Sequence, residues 1–319
     1  MQRLLDEIIR PPFDNDLLLQ WHDSVVLPVS RRCAFTTDSY VIHPLVFPGG
    51  DIGKLAVCGT LNDLAMVGAK PAYLGVGFIL EEGLPLGTLR QIVDSMAATA
   101  HQAGVMIVTG DTKVVEKGKG DGIYINTSGI GHIETALVLH PSSIRPGDVI
   151  ILNGDVGRHG VAVMASRENL EFETTLESDC ADLSGLVGEL LEAGFPVHCM
   201  RDLTRGGLAT ALIELARESH HGLLLEEASV SVSPAVRGAC GMLGLDPLFV
   251  ANEGRFVTYL PEAFADDCLL LMQSHPLGRN ARVIGRVVDT HSSCVILQTG
   301  LGTTRRLILP SGEQLPRIC

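Results

Sequence analysis

Several short stretches carry residue types suited to phosphate and cation chemistry. Asp38 lies in Thr37-Asp38-Ser39, at the end of a strand-like run from Arg32 to Tyr40. Asn62-Asp63 stands in a helical stretch reached through Gly49-Gly50-Asp51-Ile52-Gly53-Lys54, whose glycines would let backbone N–H groups approach phosphate oxygens. Asp111 and Lys113 follow the apolar run Val105 to Thr109. In the second half, Arg201-Asp202-Leu203-Thr204-Arg205-Gly206-Gly207 precedes a long helical pattern, and Ala251-Asn252-Glu253-Gly254 makes a turn between two apolar runs. Carboxylates suit Mg²⁺, a hard cation usually shared with substrate phosphates, and a lysine supplies a point charge for those phosphates. Each stretch also has a plainer reading. An Asp at a strand end serves as cap or turn residue, the 201–207 stretch as an N-cap, and an acid in a tight turn as a solvated group. If Glu253 faces a shared cleft, it has the chemistry of a general base.

These residues need elements to position them. Apolar periodicity predicts strands over 32–40, 72–80, 105–109 and 123–130, with helices over 52–67 and 86–103. The turn-rich segment 139–148 then separates two periodic regions, so the boundary between an N-terminal unit (1–140) and a C-terminal unit (141–304) is placed there. In the second unit strands are expected over 149–152, 248–251, 255–260, 282–288 and 294–297, and helices over 160–167, 182–193 and 207–220. Residues 305–319 read as a flexible tail because prolines and a glycine interrupt them; from Leu309 to Cys319 such a tail reaches at most about 33 Å.

Composition narrows the classes. Of 319 residues 46% are hydrophobic, ample for packed cores, and 24 Lys+Arg against 37 Asp+Glu give a net charge of −13, which argues against nucleic-acid binding. Aromatic residues make up 4%, too few for an aromatic-lined base or sugar groove. Neither a membrane-spanning run nor a signal peptide is seen, and the 8 cysteines form no C-x-x-C pair, so reduced thiols in a cytoplasm are expected. Seven of them read as core or incidental residues; Cys319 differs in being the last residue. A P-loop, a dinucleotide fingerprint and a G-x-S-x-G elbow are all lacking, so any ATP site belongs to another fold.

Thr37-Asp38-Ser39-Tyr40, the run Phe47 to Ala65, Thr109-Gly110-Asp111-Thr112-Lys113, Asp202-Leu203-Thr204-Arg205-Gly206-Gly207, Ala251-Asn252-Glu253-Gly254 and above all the terminal Pro316-Arg317-Ile318-Cys319 closely resemble the hydrogenase maturation factors of the HypE family. Asn-Asp-Leu and Gly-Asp-Thr alone mark only the wider group of aminoimidazole ribonucleotide synthetase, thiamine-monophosphate kinase and selenophosphate synthetase. The resemblance implies an α+β, two-domain aminoimidazole ribonucleotide synthetase-like fold. Its N-terminal ferredoxin-like sheet forms a homodimer, its C-terminal domain is α/β, and its tail is mobile. It further implies ATP and Mg²⁺ as cofactors. Asp38, Asp63 and Asp111 would be metal residues; these three with Lys113, Asn126 and Asp202 would contact the nucleotide; Glu253 and Lys113 would be catalytic, and Cys319 would carry the reacting group. In the family, a HypF-type carbamoyltransferase loads that thiol, ATP drives dehydration to a thiocyanate, and cyanide passes to iron on a HypC–HypD complex for [NiFe]-hydrogenase. The family's His-Gly-Ser-Gly-Gly type stretch is not found near Met1-Gln2-Arg3-Leu4-Leu5. Two competing readings are a kinase or synthetase acting on a free small molecule, which leaves the tail without a task, and a non-enzymatic carrier, which leaves the carboxylates without one.

Overall fold

The structure, a computed structural model, describes residues 5–13, 15, 32–168 and 176–310. The first half runs from strand β1 (Cys33–Tyr40) through a small hairpin, β2 (Val46–Phe47) and β3 (Gly50–Asp51), into helix α1 (Ile52–Met66). Strand β4 (Ala69–Glu81), helix α2 (Leu86–Gln102), β5 (Met106–Val115) and β6 (Ile123–Ile133) follow. The long strands pair in the order β1-β6-β4-β5, antiparallel except for β4 with β5. The α+β class holds. Within it the connectivity is βαβαββ, where a ferredoxin-like sheet has βαββαβ.

Period-two alternation gives this sheet two unlike faces. Leu74, Val76, Phe78 and Leu80 of β4 are buried beneath α1 and α2, while Tyr73, Gly75, Gly77 and Ile79 point the other way. No helix covers that second face among the described residues, and Phe35 and Ile79 stand 67% and 43% exposed.

Helix α1 begins at Asp51, whose carboxylate accepts the N–H groups of Gly53 and Lys54 at 2.8 and 3.0 Å. It is buried on almost every side, because the first sheet takes one face and the second half takes the other. Ala65 and Met66 share a core with Leu186, Leu190 and Phe256. Tyr40 packs its hydroxyl directly over Gly59, where an added Cβ would lie 2.3 Å from it. Gly59→Ala is therefore expected to cost about 1–3 kcal/mol of stability through overpacking, read as a lowered Tm in thermal unfolding.

The second half comprises β7 (Asp148–Leu152), α3 (Arg158–Arg167), α4 (Ser184–Glu192), β8 (Cys199–Asp202), α5 (Gly207–Ser219), β9 (Gly222–Glu226) and α6 (Pro234–Leu243). After these come β10 (Phe256–Pro261), α7 (Ala265–Ser274), β11 (Arg282–Val288), β12 (Val295–Gln298) and β13 (Thr304–Leu307). The sheet order is β13-β12-β9-β11-β7-β10-β8, antiparallel save for β12 with β9. Every residue of central β7 is buried, since α5 packs on one face of the sheet and α4 with α7 on the other.

Three expectations change. Strand β5 does not stop at Thr109 but continues through Asp111 and Lys113 to Val115, because long β4 offers a ladder partner to each of them. Residues 248–251 are not a strand: Asp246 caps a short turn over Pro247–Phe249, and the backbone beyond bonds to loops, with Gly160 N–H donating to Ala251 O and Asn252 N–H to Leu203 O. Residues 305–307, assigned to the tail, form the edge strand β13, anchored by buried Leu307. Residues 311–319 lie outside the described residues.

Candidate functional site: a carboxylate cluster between the two sheets

Strand β8 ends against β1 and α1, and this junction gathers acids from both halves. Asp63, in the last turns of α1, accepts a hydrogen bond from Thr36 Oγ1 at 3.1 Å. Asp202 closes β8, opposite Phe256 of β10. Both line a cavity of ≈ 370 Å³ together with Thr36 and Arg201. Asp38 projects from the same side of β1 as Thr36 and Tyr40, at the exposed rim, where its carboxylate accepts the Ser39 N–H at 2.7 Å.

The electrostatics of this junction are frustrated. Burial, reinforced by the charge of Asp63 and less by that of Asp38, pushes the Asp202 carboxyl up to about 7, with Arg201 opposing. Burial also raises Asp63, against the hydrogen bond from Thr36, and Asp38 adds to the rise. Arg201 relieves this only in part. Its Nε lies 3.9 Å from Asp202 Oδ1, while its other end turns to Glu214 at 3.2 Å. Among the described residues no three His, Cys, Asp or Glu side chains form a finished metal site. Asp38, Asp63 and Asp202 instead share a concentration of negative charge, each raising or being raised by its neighbours.

Glu253 is not a solvated turn residue. It is 2% exposed, and its Oε1 has no hydrogen-bond partner among the described residues. Burial holds its carboxyl well above the usual carboxylate range, with Cys180, Asp202, Asp179 and Asp38 adding to the effect in that order. A buried carboxyl with one free oxygen, among acids, is poised to exchange a proton with a group that reaches it. Asn62, one residue before Asp63, donates from Nδ2 to the carbonyls of Ala181 and Glu253 at 3.1 and 3.4 Å, so α1 touches the Glu253 turn directly.

Asp111, Lys113 and Asn126 are not brought to this cluster within one chain. The strand register aligns Ser39, Asn126, Gly77 and Asp111 in one row across the uncovered face of the first sheet. There Asn126 Nδ2 donates to Ser39 Oγ at 3.0 Å and to Asp38 O at 2.8 Å. Lys113 Nζ pairs with Asp111 Oδ2 at 2.7 Å, both side chains being about two-thirds exposed. The Asp111 carboxyl is held below its usual range by that lysine and by the Thr112 N–H. Asp38 and Asp111 thus point to opposite faces of the first sheet by strand parity, and within one chain the acid beside Asp63 is Asp202.

Buried Cys58, Cys180, Cys199, Cys240 and Cys268, part-exposed Cys294 and exposed Cys33 are all free thiols. Cys319 lies outside the described residues. Sequence reading passed over Asp179, whose fully buried carboxylate grips the Glu253 turn; among Glu177, Ser178 and Asp182 it carries no local signal that sets it apart.

Two sheets with a carboxylate cluster at their junction define a protein of the AIR synthase related type. The models "AIR synthase related protein, N-terminal domain" and "C-terminal domain" match residues 21–133 and 145–298. A carbamoyl dehydratase HypE of Cupriavidus necator is 50% identical over 319 residues, covering 99% of this chain and 91% of the relative. Among solved structures, the hydrogenase maturation protein HypE in complex with ATP superposes with a TM-score of 0.96 at 44% identity, over 100% of this chain and 96% of that one. A HypE–HypF complex gives 0.85 at 43% identity, over 97% and 98%. The chain belongs to the HypE family of AIR synthase related enzymes. No helix among the described residues is long and apolar enough to cross a membrane.

Proposed function

We propose that this chain uses ATP to dehydrate a carbamoyl group carried on Cys319, turning the thiocarbamate into a thiocyanate whose cyanide serves [NiFe]-hydrogenase maturation. The observation that carries this reading is the buried Glu253 carboxyl, its Oε1 unpartnered among the described residues, in a turn that Asn62 of the first half touches. A carboxamide oxygen is a poor leaving group. Once phosphorylated it departs as phosphate, and the N–H protons must leave as the C≡N bond forms. Glu253 is the base for that step. Its burial keeps water from competing for the free oxygen, and the turn that bears it is bonded by Asn62, the neighbour of Asp63 on α1.

Asp38, Asp63 and Asp202 would hold Mg²⁺, which when bound supplies positive charge to the transferring phosphoryl group. Thr36 orients Asp63 by its hydrogen bond, and Arg201 steadies Asp202. The reaction class follows the carbamoyl dehydratase relatives, and ATP and a HypF partner follow the HypE structures in complex with each. We extend the reading to a HypF-type carbamoyltransferase as donor and a HypC–HypD complex as acceptor, in the cytoplasm. The homodimer would seat a second copy on the uncovered sheet face around Phe35 and Ile79, bringing Asp111, Lys113 and Asn126 to the subunit junction. Lys113 would there meet nucleotide phosphate.

Cys319→Ala is the direct test. A terminal thiol on a tether delivers its adduct at high effective concentration and then swings out to a partner. The variant is expected to keep wild-type ATP binding and unfolding while forming no carbamoylated or dehydrated species, as followed by intact mass with a carbamoyl donor and Mg²⁺–ATP. Modification at full yield elsewhere on the chain would overturn the carrier role.

A further inference from the structure

Glu253 lies in no strand or helix, yet both its backbone polar groups are engaged by one segment, residues 178–183, which crosses from the first half to the second. Asp179 Oδ1 accepts the Glu253 N–H at 3.4 Å and Oδ2 accepts the Gly254 N–H at 3.1 Å. The same carboxylate stands 3.8 Å from Arg255 Nε. On the other edge, Ala181 N–H donates to Glu253 O at 3.2 Å. Gly254 makes the close approach possible, since a Cβ there would fall 2.0 Å from Asp179 O.

Asn62 closes this frame from the side of α1. Its Oδ1 accepts the Leu183 N–H at 2.8 Å, and its Nδ2 donates to the carbonyls of Ala181 and Glu253. Arg255 fixes the third residue of the turn by donating to Asp155 O and Asp155 Oδ1, both at 2.7 Å, and to Gly254 O at 2.9 Å.

From this geometry we propose that Asp179 is a positioning residue for the proton-accepting oxygen of Glu253, acting with Asn62 to hold that oxygen in register with the Asp63 cluster; the inference rests on Glu253 being the base. A fully buried carboxylate is costly unless hydrogen-bonded and paired. Here it accepts two successive N–H groups, which sets the plane of the peptide between Glu253 and Gly254 and hence the direction of the Glu253 side chain. An amide at position 179 offers one acceptor, and its NH₂ faces the Gly254 N–H. Neither Asp179 nor Asn62 lines the cavity bearing Asp63 and Asp202. Their effect therefore falls on the chemical step and not on nucleotide binding.

The experiment uses the full chain, carbamoylated on its tail, and follows single-turnover dehydration by intact mass alongside steady-state kinetics in Mg²⁺–ATP. Asp179→Asn is expected to lower kcat on the order of 100-fold, the scale of an ångström-sized misplacement, with the KM for ATP within about twofold of wild type. The double variant Asp179→Asn/Glu253→Gln should be no slower than Glu253→Gln alone, because positioning an absent base achieves nothing. Should Asp179→Asn lack a cooperative unfolding transition, Asn62→Ser, which removes the donor to Glu253 O, replaces it with the same expectations. Wild-type kcat in the single variant, losses that multiply in the double, or a loss confined to the KM for ATP would overturn the positioning role and leave the base assignment intact. Full activity in Glu253→Gln itself would overturn both.

Discussion

Glu253→Gln is expected to stop the reaction between nucleotide use and product. The variant should load the carbamoyl group and bind Mg²⁺–ATP, yet its adduct should persist without losing the mass of one water, with the dehydration rate down by roughly 10²–10⁴, the usual contribution of a general base. Burial and neighbouring negative charge raise the Glu253 carboxyl. Its ionised form therefore accumulates only above the ordinary carboxylate range, and the wild-type dehydration rate should rise with pH through that higher window. The same shift acts on stability, with the sign set by proton counts. A carboxyl whose folded-state pKa is raised binds more protons when folded, so stability declines as pH climbs from the unfolded value toward the folded one. Gln carries no such proton. The variant should therefore unfold at least as late as wild type at mildly alkaline pH while being inactive, which separates lost chemistry from lost fold. ATP binding lost first, with dehydration per bound ATP intact, would make Glu253 a nucleotide or metal ligand instead.

The second large effect concerns which carboxylates hold the cation. Asp63→Asn and Asp202→Asn are each expected to reduce ATP turnover at limiting Mg²⁺ on the order of 100-fold, since each removes one negative oxygen donor from the half-buried junction. Raising Mg²⁺ should recover part of the loss, as expected for weakened cation affinity. Asp111→Asn should cost less, because Asp111 already pairs with Lys113 on the exposed face and shares no cavity with Asp63. Titrating turnover against Mg²⁺ for the three variants decides the matter. A larger loss from Asp111 than from Asp202 would return Asp111 to the metal set and show that the site is completed across subunits.

Much of the frame was legible in local pattern. Helix α2 follows the reading over 86–103 because Leu89, Ile92, Val93, Met96 and Ala100 repeat at helical spacing and are all buried. Helix α1 is bounded by the Asp51 cap and by Gly68, which adopts the positive φ that ends helices. The ten-residue α6 and α7 and the short β8, β9 and β13 were not anticipated. Strands of four or five residues carry too few alternations to stand out from a turn.

By itself the sequence determined that acids recur at junctions of apolar runs, that no P-loop is present, that α and β elements alternate in the first half, and that the given chain carries Pro-Arg-Ile-Cys at its end. All of these reside in composition or in neighbours a few positions apart. Only the tertiary structure decided which acids meet. Asp38 and Asp111 both sit on strands of one sheet, but period-two alternation sends a side chain to one face or the other, and strand register chooses which. Asp202 joins Asp63 because β8 pairs with β10, more than fifty residues later in the chain, and so brings its end against α1. Glu253 is buried because residues 178–183, about seventy positions earlier, fold across its turn and take its backbone hydrogen bonds. Such contacts come from the closure of long loops around a shared core, and a window of neighbouring residues holds no record of them.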